Sequence, residues 1–143
     1  MRIAPDANVV ISAFFFSGVP MRFLRKAFED GHVFITSNAI LSEIRSTMNK
    51  PFFRERIDRQ DRPEQILADY RRMAATIDPV AIPSVCRDPK NNMVLACAAE
   101  AGAEAIVTGD KDLQVMGRYG LVEIWSPAVA LTRISEDTWN GAR

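Results

Sequence analysis

Short β-type runs alternate with helical stretches along this sequence, which restricts the chain to a layered α/β domain. Arg2-Ile3-Ala4-Pro5 reads as a strand ending at Asp6. Met21, Phe23, Leu24, Ala27 and Phe28 give the apolar side of a helix from Pro20 to Asp30, which Gly31 stops. Val33 to Thr36 is a compact β run, after which Ser37 or Asn38 caps a helix striped by Ile40, Leu41, Ile44 and Met48. Pro51 to Ile77 reads as one or two further helices, and Val80-Ala81-Ile82 as a short strand. A helix from Asn91 to Ala101, strands at Ala105–Thr108 and Leu121–Ile124, and a final helix opened by Pro127 complete the alternation. Joints this short predict a mainly parallel sheet with helices on both faces.

With 143 residues the chain makes one domain, placed at 1–134, followed by a polar tail at 135–143 in which Trp139 is the candidate for a partner contact. No apolar run reaches the length of a membrane span, and Met1 to Pro5 carries no export signal. Cys86 and Cys97 lack metal-ligand spacing and read as reduced thiols of a cytoplasmic protein, Cys97 in the core. Net charge is formally zero, so no global basic field marks a nucleic-acid binder, yet 14 of the 18 basic residues are arginines. Arg54, Arg56, Arg59, Arg62, Arg71 and Arg72 crowd one stretch. They suit phosphate, but the acids interleaved with them favour a solvated, ion-paired helical surface.

Ligands of an open parallel sheet bind beyond the carboxyl ends of its strands. Asp6 and Asp110 each follow a strand at that edge, Asp112 comes two positions after Asp110, and Glu43 lies one turn into the helix after the second strand. Asp88 precedes the small-residue helix, as a turn residue or as a further acid of the cluster. Carboxylates gathered without basic partners repel one another unless a hard cation bridges them, and Mg²⁺ or Mn²⁺ suits all-oxygen ligands. Such an ion activates water and steadies charge on phosphate.

The sequence resembles the PIN-domain nucleases. Pro5-Asp6-Ala7-Asn8-Val9-Val10 looks like their opening signature and Leu41-Ser42-Glu43-Ile44 like the helix of their second acid. Cys86-Arg87-Asp88-Pro89-Lys90-Asn91-Asn92-Met93-Val94-Leu95-Ala96 looks like the third motif, and Val107-Thr108-Gly109-Asp110-Lys111-Asp112-Leu113 like the fourth. The likeness runs from Ile3 to about Arg133 and is nearest the toxins of toxin–antitoxin systems, relatives of VapC. It implies a three-layer α/β/α domain, metal-dependent endoribonuclease activity, a homodimer and a cognate antitoxin, with RNA as substrate. By position it puts Asp6, Glu43, Asp110 and Asp112 on the catalytic acids, with Asp6, Glu43 and Asp110 as metal ligands. Asn8 falls on the residue that orients Asp6, and Thr108 supplies a hydroxyl there or serves as an ordinary strand end.

The third motif departs from the family at Asn91, where an aspartate facing the metal is usual. An amide keeps one ligand oxygen and loses a charge. Either Asp88 compensates, or the protein is a weakened or inactive nuclease that binds RNA or an antitoxin without cutting, or the sequence was altered to disarm it. A phosphotransfer domain with Asp6 as nucleophile is the remaining alternative. It lacks the usual second aspartate, since Asn8 stands there, and a late strand-end lysine. His32 reads as a solvated turn residue rather than a general base. Phe14-Phe15-Phe16 is expected in a loop, packed in the core or on a dimer face, with base stacking as the other use.

Overall fold

The structure, a computed structural model, describes residues 1–58 and 61–141, those from 137 onward as backbone only. Arg59 and the side chain of Trp139 lie outside the described residues.

Four-residue strands β1 (Arg2–Pro5) and β2 (Val33–Thr36) are buried over three positions each, the mark of strands covered on both faces. They lie parallel, with Ile3 opposite Phe34. β3 (Ala74–Thr76) extends the sheet beyond β2, and β4 (Ala105–Val107) pairs with the other side of β1, Pro5 opposite Val107. β6 (Val122–Trp125) runs parallel to β4, and the two-residue β5 (Arg118–Tyr119) closes that edge antiparallel. The order is β3-β2-β1-β4-β6-β5, the mainly parallel sheet expected.

Two helices, α1 (Ala7–Phe15) and α2 (Val19–Glu29), connect β1 to β2. α3 (Asn38–Met48), the short α4 (Pro51–Arg54) and α5 (Arg62–Met73) connect β2 to β3. Right-handed crossovers put these on one face and α6 (Pro89–Glu100), which crosses back to β4, on the other. The packing agrees: α1 touches α2 and α3, while α6 lies across β1, β2 and β4. α7 (Lys111–Met116) follows β4, and α8 (Pro127–Gly141) packs on α2 and β6. The backbone of α8 thus continues through the polar stretch set apart as a tail.

The α3 stripe of Ile40, Leu41, Ile44 and Met48 is buried as its spacing predicts, and Ser37 Oγ caps the helix by accepting from Ile40 N–H at 3.2 Å. Cys97 and Trp125 join the core. Four readings are corrected. Residues 74–76 leave the helix to pair with β2, because the Phe34–Thr36 edge offers them a ladder. The stretch Val80–Ile82 is loop, with Val80 91% exposed and therefore no strand to pair. Phe14 and Phe15 end α1 rather than lying in a loop, and Phe15 meets Phe53 edge-on at 5.1 Å. His32 is buried, its Nδ1 2.8 Å from the Met1 ammonium, and is not a solvated turn residue. No single helix among the described residues is long and apolar enough to cross a membrane.

Candidate active site

From β1 the chain moves one way to β2 and β3 and later the other way to β4 and β6, so the strand order reverses between neighbouring β1 and β4. Loops diverge there, leaving a crevice beyond the carboxyl ends. Asp6 stands at the end of β1 and is held across the crevice by its N–H, which donates to Val107 O at 2.8 Å. The residue is only 6% exposed.

Three acids of this region are helix N-caps. Asp6 Oδ1 accepts from Ala7 N–H at 2.8 Å at the start of α1. Asp88 Oδ1 accepts from Lys90 N–H at 3.0 Å at α6, and Asp110 Oδ1 accepts from Asp112 and Leu113 N–H at 2.8 and 3.2 Å at α7. Each cap engages one carboxylate oxygen, and the positive ends of the helices favour negative charge there.

Thr108 bridges the two strand-end acids. Its Oγ1 donates to Asp6 Oδ2 at 2.8 Å and accepts from Asp110 N–H at 3.0 Å. Gln114 Nε2 donates to Thr108 O at 2.8 Å, fixing the same turn. Asn8, the second residue of α1, is exposed and makes no hydrogen bond to Asp6 among the described residues, whereas Thr108 does.

Burial, above all, pushes the Asp6 carboxyl above the ordinary aspartate range. Donation from Thr108 and Ala7 opposes the shift, and the charges of Asp110 and Asp88 add to it. Glu43, half-buried on α3, is raised by burial and then by Asp6, with Lys90 pulling the other way. Asp6, Glu43, Asp88 and Asp110 thus share one field. Asp112 pairs with the exposed Arg87, 3.5 Å away, and its charge acts on Cys86 together with those of Asp110 and Asp88. Asn91 is buried on the first turn of α6, three residues beyond Asp88.

The polar side chains at this edge are carboxylates and the Thr108 hydroxyl, oxygens of the kind that fit a hard divalent ion. Among the described residues no three Asp, Glu, His or Cys side chains form a ready-made cage, so ligation would require side-chain rotation. Beside the acids Asn92 serves the backbone: its Oδ1 accepts from Val85 and Cys86 N–H at 3.2 and 2.8 Å, and its Nδ2 donates to Cys86 O at 3.1 Å. Sequence reasoning gave Asn92, Gln114 and Lys90 no role. Only the position of Lys90 in the first turn after Asp88 could have signalled it.

A mainly parallel sheet with acids at its topological switch point defines an α/β protein whose candidate site lies at the carboxyl edge of β1 and β4. The sequence profile of the PIN domain family matches residues 2–112, and the chain belongs to that family, whose members are generally nucleases. The uncharacterized protein MJ1680 of Methanocaldococcus jannaschii is 35% identical over 114 residues, 79% of this chain and 73% of the relative. A crystal structure of VapBC2 from Rickettsia felis bound to a DNA fragment from its promoter shares the fold. The TM-score is 0.59 at 11% identity, covering 87% of this chain and 99% of the other.

Proposed function

We propose that this protein is a cytoplasmic, Mg²⁺- or Mn²⁺-dependent endoribonuclease of the VapC-like toxin type, acting with a cognate antitoxin and as a homodimer. The observation that supports the proposal is the bridge made by Thr108, whose hydroxyl engages the Asp6 carboxylate and the backbone N–H of Asp110 at the ends of β1 and β4. Asp6, Glu43 and Asp110 would hold the ion, which when bound supplies the Lewis acid for water activation and phosphate charge. The remaining work belongs to the chain. Thr108 keeps Oδ2 of Asp6 in place, the helix N-termini hold the cluster's negative charge, and the buried floor of the crevice limits bulk water. Asp112 would enter only by leaving Arg87.

A second reading, a PIN-fold protein that binds RNA or an antitoxin without cutting, is favoured by Asn91, which puts an amide where the family's usual carboxylate would stand. Incubating a mixed RNA pool with the protein in Mg²⁺ and in EDTA separates the two. Internal cleavage in Mg²⁺ that disappears in EDTA and in Asp110→Asn supports the nuclease; RNA retention without cleavage supports the binder.

A further inference from the structure

Next to the acids lies a pocket of about 270 Å³ between α3 and α6. Ala39, Ile40 and Met93 give it apolar walls, while Ser42, Ser46 and Lys90 give it polar ones. Glu43 belongs to both this pocket and the acidic field, so the two are continuous. The Lys90 ammonium forms no salt bridge among the described residues, although its charge offsets part of what burial and Asp6 do to Glu43. A cation left available at the rim, an apolar wall and two hydroxyls that can donate or accept together suit one nucleotide. A thioether packs favourably on an aromatic ring, and serine hydroxyls meet the edge of any base. An ammonium meets a phosphate as a point charge without demanding a fixed orientation.

We propose that this pocket is a nucleotide subsite that takes one base of single-stranded RNA against Met93, with Lys90 on the adjoining phosphate and Ser42 and Ser46 at the base edge. The assignment rests on the reading of RNA as the substrate. It adds the place where a nucleotide beside the scissile phosphate is gripped, and it makes Lys90 a binding rather than a catalytic residue. A volume of about 270 Å³ is on the scale of one nucleotide, so recognition there would concern one position of the strand.

The test is a titration of the full chain, carrying ¹³C-methyl methionine, with nucleoside 5′-monophosphates, with inorganic phosphate and with a short single-stranded RNA, all in Mg²⁺. The Met93 methyl signal, assigned with Met93→Leu, should shift saturably with nucleotide and RNA but not with phosphate. Lys90→Gln should weaken that binding about tenfold. Ser46→Phe, on an exposed helix position, should fill the pocket and abolish the shift while the other methionine signals stay in place. A silent Met93, a response to phosphate alone equal to that with nucleotide, or unchanged affinity in Lys90→Gln would overturn the subsite. The readout does not depend on cleavage. A Met93 response in a protein that cuts no RNA sinks the nuclease reading and leaves the subsite, whereas cleavage with a silent Met93 sinks the subsite alone.

Discussion

Thr108 donates its hydroxyl hydrogen to Asp6 at 2.8 Å while the same oxygen accepts from Asp110 N–H at 3.0 Å, so one buried side chain sets both strand-end acids. Removing it leaves a buried carboxylate short of a donor, which costs on the order of 1–3 kcal/mol.

Thr108→Val, nearly the same shape, should therefore lower stability by that amount and weaken divalent binding about 10–100-fold, as loss of a ligand-orienting partner does. Thr108→Ser should restore most of both. Calorimetric titration with Mn²⁺ beside thermal melts checks this; equal affinities for Val and Thr would show that the hydroxyl is ornamental to the ion.

The acids also set the pH dependence. Asp6 and Glu43 lie above 3.8 and 4.5 in the folded protein, chiefly from burial. A raised carboxylate binds its proton more tightly folded than unfolded. Each group therefore adds stability below its ordinary value, and that contribution is lost as pH rises through the raised one. In EDTA, Asp6→Asn should accordingly be more stable than the wild type at pH 7, and the gap should narrow as pH falls toward 4. Melts across that range decide, and a gap that widens on acidification would contradict the assignment. Saturating Mg²⁺ should reverse the order at pH 7.

Position 91 tests how charge is counted in the crevice. Asn91→Asp should tighten Mn²⁺ binding roughly five- to several-hundred-fold, as one added charge a few ångströms away implies at effective dielectrics between protein surface and water. Without metal the same variant should be slightly less stable, since it adds a like charge. Unchanged affinity would transfer the third-motif role to Asp88.

Asn92 uses both ends of its amide to hold Val85 and Cys86, and so the loop that delivers Asp88. Asn92→Ala should cost about 2–3 kcal/mol. Hydrogen exchange should rise first around residues 78–88; uniform protection there would mean that the loop is held by other contacts.

Legibility followed the reach of each interaction. The α3 stripe was readable because helical periodicity is local, and Asp6 and Asp110 because a strand end announces its edge of the sheet. β3 was not, since Ala74-Ala75-Thr76 becomes a strand only by pairing with β2, some forty residues earlier. His32 was misread because the β1–β2 pairing that brings it beside Met1 joins segments about thirty residues apart. Asn8 and Thr108 both looked able to orient Asp6; which of them does so is decided by the β1–β4 register, which no spacing reveals.

Anomalous diffraction from a crystal soaked in Mn²⁺ decides whether the crevice between β1 and β4 holds a catalytic divalent ion. One strong peak is expected within ligand distance of Asp6 and Asp110, with Glu43 turned toward it. A soaked crystal with no peak in the crevice, or with Mn²⁺ bound only elsewhere on the surface, would contradict it.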